Sequence, residues 1–133
     1  MAAFPRYTPE EEHHRRLILE VYEQVLKPLD SSRVDEFFAS DYVQHSPLAA
    51  TGAAGLKAFL DWAKANSPAA THEVKRLFVD GDYVVAHVHV VIRPGDRGNA
   101  VVDIFRISAG KVAEHWDVAQ AIPEALLHAN GVL

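Results

Sequence analysis

The spacing of the hydrophobic residues changes near residue 70, and this change constrains the fold more than any other feature. Before it, apolar residues recur at intervals of three and four, which is typical of helices that bury one face. After it, runs rich in valine, isoleucine, phenylalanine and tyrosine follow a period of two, at about 72–79, 83–92, 100–107 and 111–118. Helices followed by a strand meander predict an α+β fold, with the helices covering one face of an antiparallel sheet.

Three helices are predicted in the first half of the chain. The first has the clearest start, because Thr8 is a suitable N-cap, Pro9 occupies the first helical position and Glu11 completes a capping box. The other predicted helices are a short one over 34–38, one from Gly52 that fades by 66–68, and a last short one between Pro123 and Gly131. The segment 41–47 is too short and too polar to predict a regular element.

Composition narrows the class of protein. A chain of 133 residues predicts a single domain over residues 1–133, and it is long enough to bury a core. The net charge of −5 argues against a nucleic-acid partner, and the absence of cysteine excludes disulfide, thiol and cysteine–metal chemistry. No apolar run has the length of a membrane span, and residues 1–7 lack the apolar core of a signal peptide. We therefore expect a cytoplasmic protein without a membrane partner.

Three polar residues stand out in the last two predicted strands: Asp103, His115 and Asp117. The loop 108–110 sets their register, and a slip of one residue moves every side chain to the other face. A two-residue loop would place His115 and Asp117 on the face opposite Asp103. A three-residue loop would pair Asp103 directly with His115 and bring all three onto one face. Because Ala109 is a poor first residue for a two-residue turn, we expect the three-residue loop.

Two carboxylates and an imidazole on one half-buried sheet face have the groups that acid–base chemistry needs. They are also costly to bury without a function. The cluster Asp103, His115 and Asp117 is therefore a candidate site for proton transfer, with Phe105 as an apolar neighbour. The alternative is a polar ladder on a solvent-facing side of the sheet.

Four further residues are candidates for ligand contacts. Gln44 and His45 lie between two predicted helices, where they can line a pocket opening or cap a helix. His87 shares a strand face with His89, while the alternate residues of that strand are all apolar. The two histidines can therefore lie on the wetter face, contribute His87 to a pocket, or together chelate a metal. Phe59 belongs to the apolar stripe of the third predicted helix.

Several segments resemble the SnoaL-like polyketide cyclases of the nuclear transport factor 2-like superfamily. They are Tyr-Val-Gln-His at 42–45 with Pro47, Gly55-Leu56 with Phe59, Val-Asp-Ile-Phe-Arg at 102–106, and Gly-Lys-x-x-Glu-His-Trp-Asp at 110–117. The last motif is the most specific. The resemblance covers about residues 10–125.

The resemblance implies a cone-shaped α+β barrel, in which a bent antiparallel sheet of about four to six strands wraps around three N-terminal helices. It also implies a deep, mostly apolar pocket and often a homodimer through the outer sheet face. In the cyclases, an aspartate at the position of Asp117 acts as general acid/base in an intramolecular aldol ring closure. A histidine stands there at the position of Asp103, so this chain departs from the cyclase pattern.

These observations predict a cofactor-independent acid–base enzyme that acts on a small apolar carbonyl compound and needs no metal. Asp117, Asp103 and His115 are its expected catalytic residues. The expected substrate contacts are Gln44, His45, Phe59, His87 and Phe105. One alternative is a non-catalytic small-ligand-binding module of the same fold, and another is a metal-dependent enzyme that uses His87 and His89.

Overall fold

The computed structural model describes residues 6–133, and its helices lie mainly in the first half of that range. Residues 1–5, which belong to the predicted single domain and to the N-terminus judged not to be a signal peptide, lie outside the described residues. Helix α1 spans Pro9–Val21 and continues as a π-helical turn, Tyr22–Leu26. A 3-10 turn over Ser31–Arg33, α2 over Val34–Phe37 and α3 over Gly52–Asn66 follow. The predicted capping box at the start of α1 is confirmed: Thr8 Oγ1 accepts from the Glu11 backbone N–H at 3.1 Å, and the Glu11 carboxylate accepts from the Thr8 N–H at 3.0 Å. No helix within residues 6–133 has the length and apolar character needed to cross a membrane.

Five strands form one sheet in the order β1-β5-β4-β3-β2. They are β1 Phe38–Gln44, β2 Thr71–Asp80, β3 Tyr83–Val91, β4 Asn99–Ser108 and β5 Lys111–Ala121. Strands β2 to β5 form the expected antiparallel hairpins, and the α+β cone-like fold is confirmed.

The sheet is mixed rather than purely antiparallel, because β1 pairs in parallel with β5. The prediction that 41–47 has no regular element was therefore wrong for residues up to 44. The segment is polar in composition, yet Tyr42 is buried and the backbone of residues up to 44 pairs with the free edge of β5. Long-range pairing outweighs local sequence preference here.

The core lies between the inner sheet face and the helices. On β3, Val84, Ala86 and Val88 are fully buried, and Ile18 and Val21 of α1 belong to the same apolar cluster. The alternation on β3 thus follows the predicted period of two and fixes which face of every hairpin points inward.

Helix α3 approaches the loop before it closely at Gly55. A Cβ at this position would lie 2.2 Å from the carbonyl oxygen of Ala50, far inside any real contact distance. Glycine is therefore required by the packing of α3 against the loop rather than by its backbone angle.

The predicted helix between Pro123 and Gly131 is not formed; residues 122–133 have no regular element. Leu127 is fully exposed and Leu126 is partly exposed, so the segment has no apolar face packed on the domain. A helix this short is marginal in water without such packing.

The register of the β4–β5 hairpin differs from the prediction. The loop has two residues, because Ser108 pairs with Lys111, and both Ala109 and Gly110 have positive φ, 51° and 76°. This is the pattern of a type I′ turn, adopted despite the strain that Ala109 bears there.

A β-bulge then restores the face that the predicted loop would have given. Ile107 pairs with Val112 but Arg106 pairs with Glu114, so Ala113 is an additional residue in β5. One additional residue reverses the alternation of all that follow. The direct pairing of Asp103 with His115 was therefore wrong, whereas their placement on one face was right.

Candidate active site

Adjacent rows of the inner sheet face hold the predicted acid–base residues. Asp103 pairs across the strands with Asp117, and Phe105 pairs with His115. Asp103 is buried, with 8% of its surface exposed, while His115 and Asp117 are partly buried. The structure therefore brings all three side chains together, with one ligating atom from each within 4.8 Å of the others.

Asp103 is held by two hydrogen-bond partners. The Tyr22 hydroxyl donates to Oδ2 at 2.6 Å, and His115 Nε2 lies 2.9 Å from Oδ1. Tyr22 is itself buried, and the pKa of its hydroxyl is raised well above 10.0, first by burial and then by the charge of Asp103. The phenol consequently stays protonated and remains a donor to the carboxyl group.

His115 has acceptor atoms at both ring nitrogens. Its Nδ1 lies 2.7 Å from Gln44 Oε1, and the Ser46 backbone N–H donates to the same oxygen at 3.0 Å, which fixes the orientation of the Gln44 amide. A neutral imidazole has only one N–H, so it cannot satisfy both Gln44 and an ionised Asp103. Donating to both Gln44 and Asp103 would therefore take one proton more than a neutral imidazole and an ionised carboxylate hold.

Asp117 differs from Asp103 because no group within residues 6–133 donates a hydrogen bond to its carboxylate. Its charge nevertheless acts on the neighbourhood. Burial, followed by the charges of Asp117 and Asp103, raises the pKa of Tyr42. The cluster thus places a carboxyl group without hydrogen-bond donors in the described residues beside a hydrogen-bonded carboxyl–imidazole pair.

A cavity of about 1020 Å³ lies against this cluster, between the inner sheet face, α3 and the loop before α3. Five residues predicted for catalysis or binding line it together with Gln44: Phe59, Asp103, Phe105, His115 and Asp117. Most other lining residues are apolar and include Leu26, Phe38, Leu56, Leu60, Val90 and Val101. A polar cluster in an apolar cavity is the usual form of a small-molecule site.

The predictions that His45 and His87 line the pocket were wrong, because both side chains point to the outer face of the sheet. His45 follows the inward-facing Gln44, so it points to the outer sheet face, where its Nε2 lies 2.7 Å from Glu114 Oε2 and its ring stacks on Trp116 at 4.9 Å. His87 alternates with the buried residues of β3 and contacts Arg76 on the outer face. Neither side chain lines the cavity.

The proposed metal pair of His87 and His89 has no carboxylate or histidine grouped with it in the described part of the chain. His89 Nε2 instead lies 2.7 Å from the carbonyl oxygen of Arg97. Asp103, His115 and Asp117 do form a set that could hold a metal. Because both nitrogens of His115 already face hydrogen-bond acceptors, a metal there would have to displace Asp103 or Gln44.

Two residues of the site were missed in the sequence. Tyr22 was assigned only to the apolar stripe of α1, and nothing local indicates that its hydroxyl meets Asp103, which is 81 positions away. His72 lies on the inner face of β2 and lines the cavity. His72 lies two residues before the apolar Val74, which weakly indicates that the two share the inner face. A bulge after Val74 breaks the period of two in β2, so the pattern of the whole strand did not show this.

Comparison with known families identifies the class of protein. The SnoaL-like domain family matches residues 18–115, which is well over half of the chain. The chain belongs to this family, within the nuclear transport factor 2-like superfamily, and the resemblance inferred from its motifs is confirmed. No curated protein sequence matches it.

Solved structures show the same fold. A candidate polyketide cyclase from Bacillus cereus has a TM-score of 0.73 and 19% identity, covering 90% of this chain and 83% of that chain. A candidate SnoaL-like polyketide cyclase from Jannaschia has a TM-score of 0.71 and 17% identity, covering 87% and 91%. TsrD from Streptomyces laurentii has a TM-score of 0.67 and 20% identity, covering 88% and 91%. At these identities the likeness establishes the fold and leaves the reaction to the site.

Proposed function

We propose that the protein is a cofactor-independent acid–base enzyme that deprotonates a small apolar carbonyl compound next to its carbonyl group. The observation that carries the proposal is the contrast within one cluster: Asp117 has no hydrogen-bond donor within residues 6–133, whereas Asp103 and His115 contact each other at 2.9 Å. To this pair we assign a shared proton, because His115 also faces Gln44. A base beside a proton donor, in an apolar cavity, is what enolisation requires.

The reaction begins when Asp117 accepts a proton from the carbon next to the substrate carbonyl. The C–H electron pair moves into the carbonyl group and forms an enolate, whose oxygen is stabilised by the proton of the Asp103–His115 pair. In a cyclisation, the enolate carbon then attacks a second carbonyl carbon of the same molecule and forms a C–C bond. The new alkoxide takes the proton from Asp117, which restores the carboxylate. In an isomerisation of a β,γ-unsaturated ketone, the enolate is a conjugated dienolate, and Asp117 returns the proton to its γ-carbon, which moves the C=C bond into conjugation with the carbonyl group.

Tyr22 and Gln44 are positioning residues in this scheme. Tyr22 holds Asp103 from the core side, and Gln44 holds the ring of His115 in one orientation. Both contacts keep the imidazole and carboxyl groups in place before substrate arrives, which is how a small site limits reorganisation during the reaction. Phe59 and Phe105 supply apolar wall that favours a substrate with little charge.

The chemistry can be tested without knowing the natural substrate. Cyclic ketones such as 2-tetralone are incubated in D2O with the protein, and loss of the hydrogens next to the carbonyl is followed by proton NMR. We expect Asp117→Asn to slow the exchange by roughly 10²- to 10⁴-fold, the usual contribution of a general base. The exposed Asp96 provides a matched control, since Asp96→Asn should leave the rate unchanged.

The alternative of a binding module without chemistry predicts a different result. The ketones would then bind wild type and Asp117→Asn equally, and no ketone of the panel would exchange faster with wild type than with the variant. That outcome would reject the enzyme proposal.

A homodimer through the outer sheet face is a second proposal, supported by an apolar row on that face. Phe78, Val85, Ile104 and Trp116 lie side by side across four strands, and Phe78 is 45% exposed. Light scattering of wild type and Phe78→Asp tests this dimer. We expect wild type to be dimeric and the charged variant to be monomeric, and a monomeric wild type would contradict the proposal. A cytoplasmic location stays a prediction.

A further inference from the structure

A second group of polar residues lines the cavity away from the acid–base cluster. His72 on β2 pairs with Val90 on β3, and Val90 pairs with Asn99 on β4, so the three residues form one row across the inner sheet face. All three line the cavity. The row therefore places an imidazole and an amide on the same wall as Asp103.

Within residues 6–133, the side-chain polar atoms of His72 and Asn99 have no hydrogen-bond partner. His72 Nδ1 is buried without a hydrogen bond, and within residues 6–133 nothing bonds to His72 Nε2 or to the Asn99 amide. Only Nδ1 is cut off from accessible surface, so the other polar atoms of the two side chains reach the cavity. Buried polar groups are nearly always paired, because leaving them unpaired is costly. These two side chains consequently have capacity to bind a group within the cavity.

The charge of His72 limits what that group can be. Burial lowers the pKa of His72, the nearby Asp103 acts in the opposite direction, and Lys27 adds to the lowering. The imidazole is therefore neutral near pH 7 and can donate one hydrogen bond and accept another. A neutral imidazole beside a neutral amide suits a hydroxyl or carbonyl oxygen better than an ionised group.

Asn99 lies well away from the reacting groups along β4. Asn99 and Asp103 are four residues apart on β4, a separation of about 13–14 Å between their Cα atoms at the rise of an extended strand. Between them on the same face lies Val101, which also lines the cavity. A ligand that reaches both groups must be elongated, apolar in its middle and polar at each end.

We propose that His72 and Asn99 form a second polar subsite, which binds an uncharged hydroxyl or carbonyl oxygen at the end of the substrate remote from the carbon that Asp117 deprotonates. The assignment of the reacting end rests on the proposed function. The substrate class is thereby narrowed to an elongated, largely apolar ketone with an oxygen at its far end.

Two rigid probes differing in one hydroxyl test the subsite. Binding of 4-acetylbiphenyl and of 4-acetyl-4′-hydroxybiphenyl is measured by isothermal titration calorimetry. For wild type we expect the hydroxylated probe to bind roughly three- to tenfold more tightly, the worth of one hydrogen bond. His72→Phe should bring the ratio close to one, and Asn99→Leu should reduce it. His89→Phe is the matched control on the outer face and should keep the wild-type ratio.

Folding of each variant is checked by thermal melting, and His72→Gln, which keeps a donor and an acceptor, should retain part of the preference. The proposal is overturned if wild type binds neither probe, if it binds both equally, or if His72→Phe keeps the preference. Asp117→Asn separates this proposal from the enzyme proposal, because it should slow exchange by roughly 10²- to 10⁴-fold while leaving the probe ratio intact. A His72-dependent ratio without any exchange activity in wild type would support the subsite and reject the enzyme.

Discussion

Removing the Tyr22 hydroxyl tests the hydrogen bond that holds Asp103 in place. In Tyr22→Phe the ring keeps its packing, including its edge-on contact with Phe105 at 6.0 Å and 88°. Only the donor to Asp103 Oδ2 is lost. Because Asp103 is 8% exposed, water has little access to replace that donor.

The size of the effect follows from burial and charge. A hydrogen bond to a charged group contributes about 1.5–3 kcal/mol, and leaving a buried acceptor unpaired places the loss in the upper part of this range. For a chain of 133 residues, the upper part of this range corresponds to a fall in melting temperature of about 8–11 °C.

Urea unfolding of wild type, Tyr22→Phe and Tyr83→Phe measures this loss in the free energy of unfolding. Tyr83 is 43% exposed on the outer face, so its matched hydroxyl deletion should change the free energy of unfolding by less than about 0.5 kcal/mol. If Tyr22→Phe were no more destabilising than Tyr83→Phe, the anchoring of Asp103 by Tyr22 would be refuted.

Three further predictions concern other parts of the molecule. Burial lowers the pKa of His72 from 6.5; the charge of Asp103 raises it, and that of Lys27 lowers it further. Below pH 6.5, the unfolded chain therefore binds a proton at His72 that the folded chain does not. Stability should therefore fall with pH from 6.5 down to the folded pKa, by at most about 1.4 kcal/mol per pH unit, and His72→Gln should remove this slope in urea titrations. Ala109→Asn relieves a positive φ in the β4–β5 turn and should raise the free energy of unfolding by about 1 kcal/mol; an unchanged urea midpoint would count against strain there. Dialysis against EDTA should leave ketone exchange unchanged, and activity restored by added zinc, iron or manganese would contradict a metal-free reaction.

Local signals predicted much of the fold. The capping box at Thr8, the start of α3 at Gly52 and the four strands with a period of two are all properties of short segments, and each was found close to its predicted bounds. Strand β1 could not be predicted in this way, because its polar and apolar residues do not alternate and its reason to be extended is the free edge of β5.

The convergence of Asp103, His115 and Asp117 on one sheet face was predicted, but for a wrong reason. Asp103, His115 and Asp117 share a face because a strained two-residue turn and a bulge at Ala113 offset each other, and no rule of turn propensity indicates such a pair of irregularities. The outward positions of His45 and His87 need no irregularity. Side chains alternate between the two faces of a strand, so both histidines point outward once the inward-facing residues are known.

The proton that we assign to the Asp103–His115 pair is the most direct test of the proposed chemistry, because in the proposed reaction this proton stabilises the enolate. Long-range proton–nitrogen NMR of the free protein at about pH 7 measures it through the nitrogen shifts of His115, identified by comparison with His115→Gln. We predict a proton on Nδ1 facing Gln44 and a second one on, or shared by, Nε2 facing Asp103. A neutral imidazole with one bare nitrogen and an ionised Asp103 would contradict it.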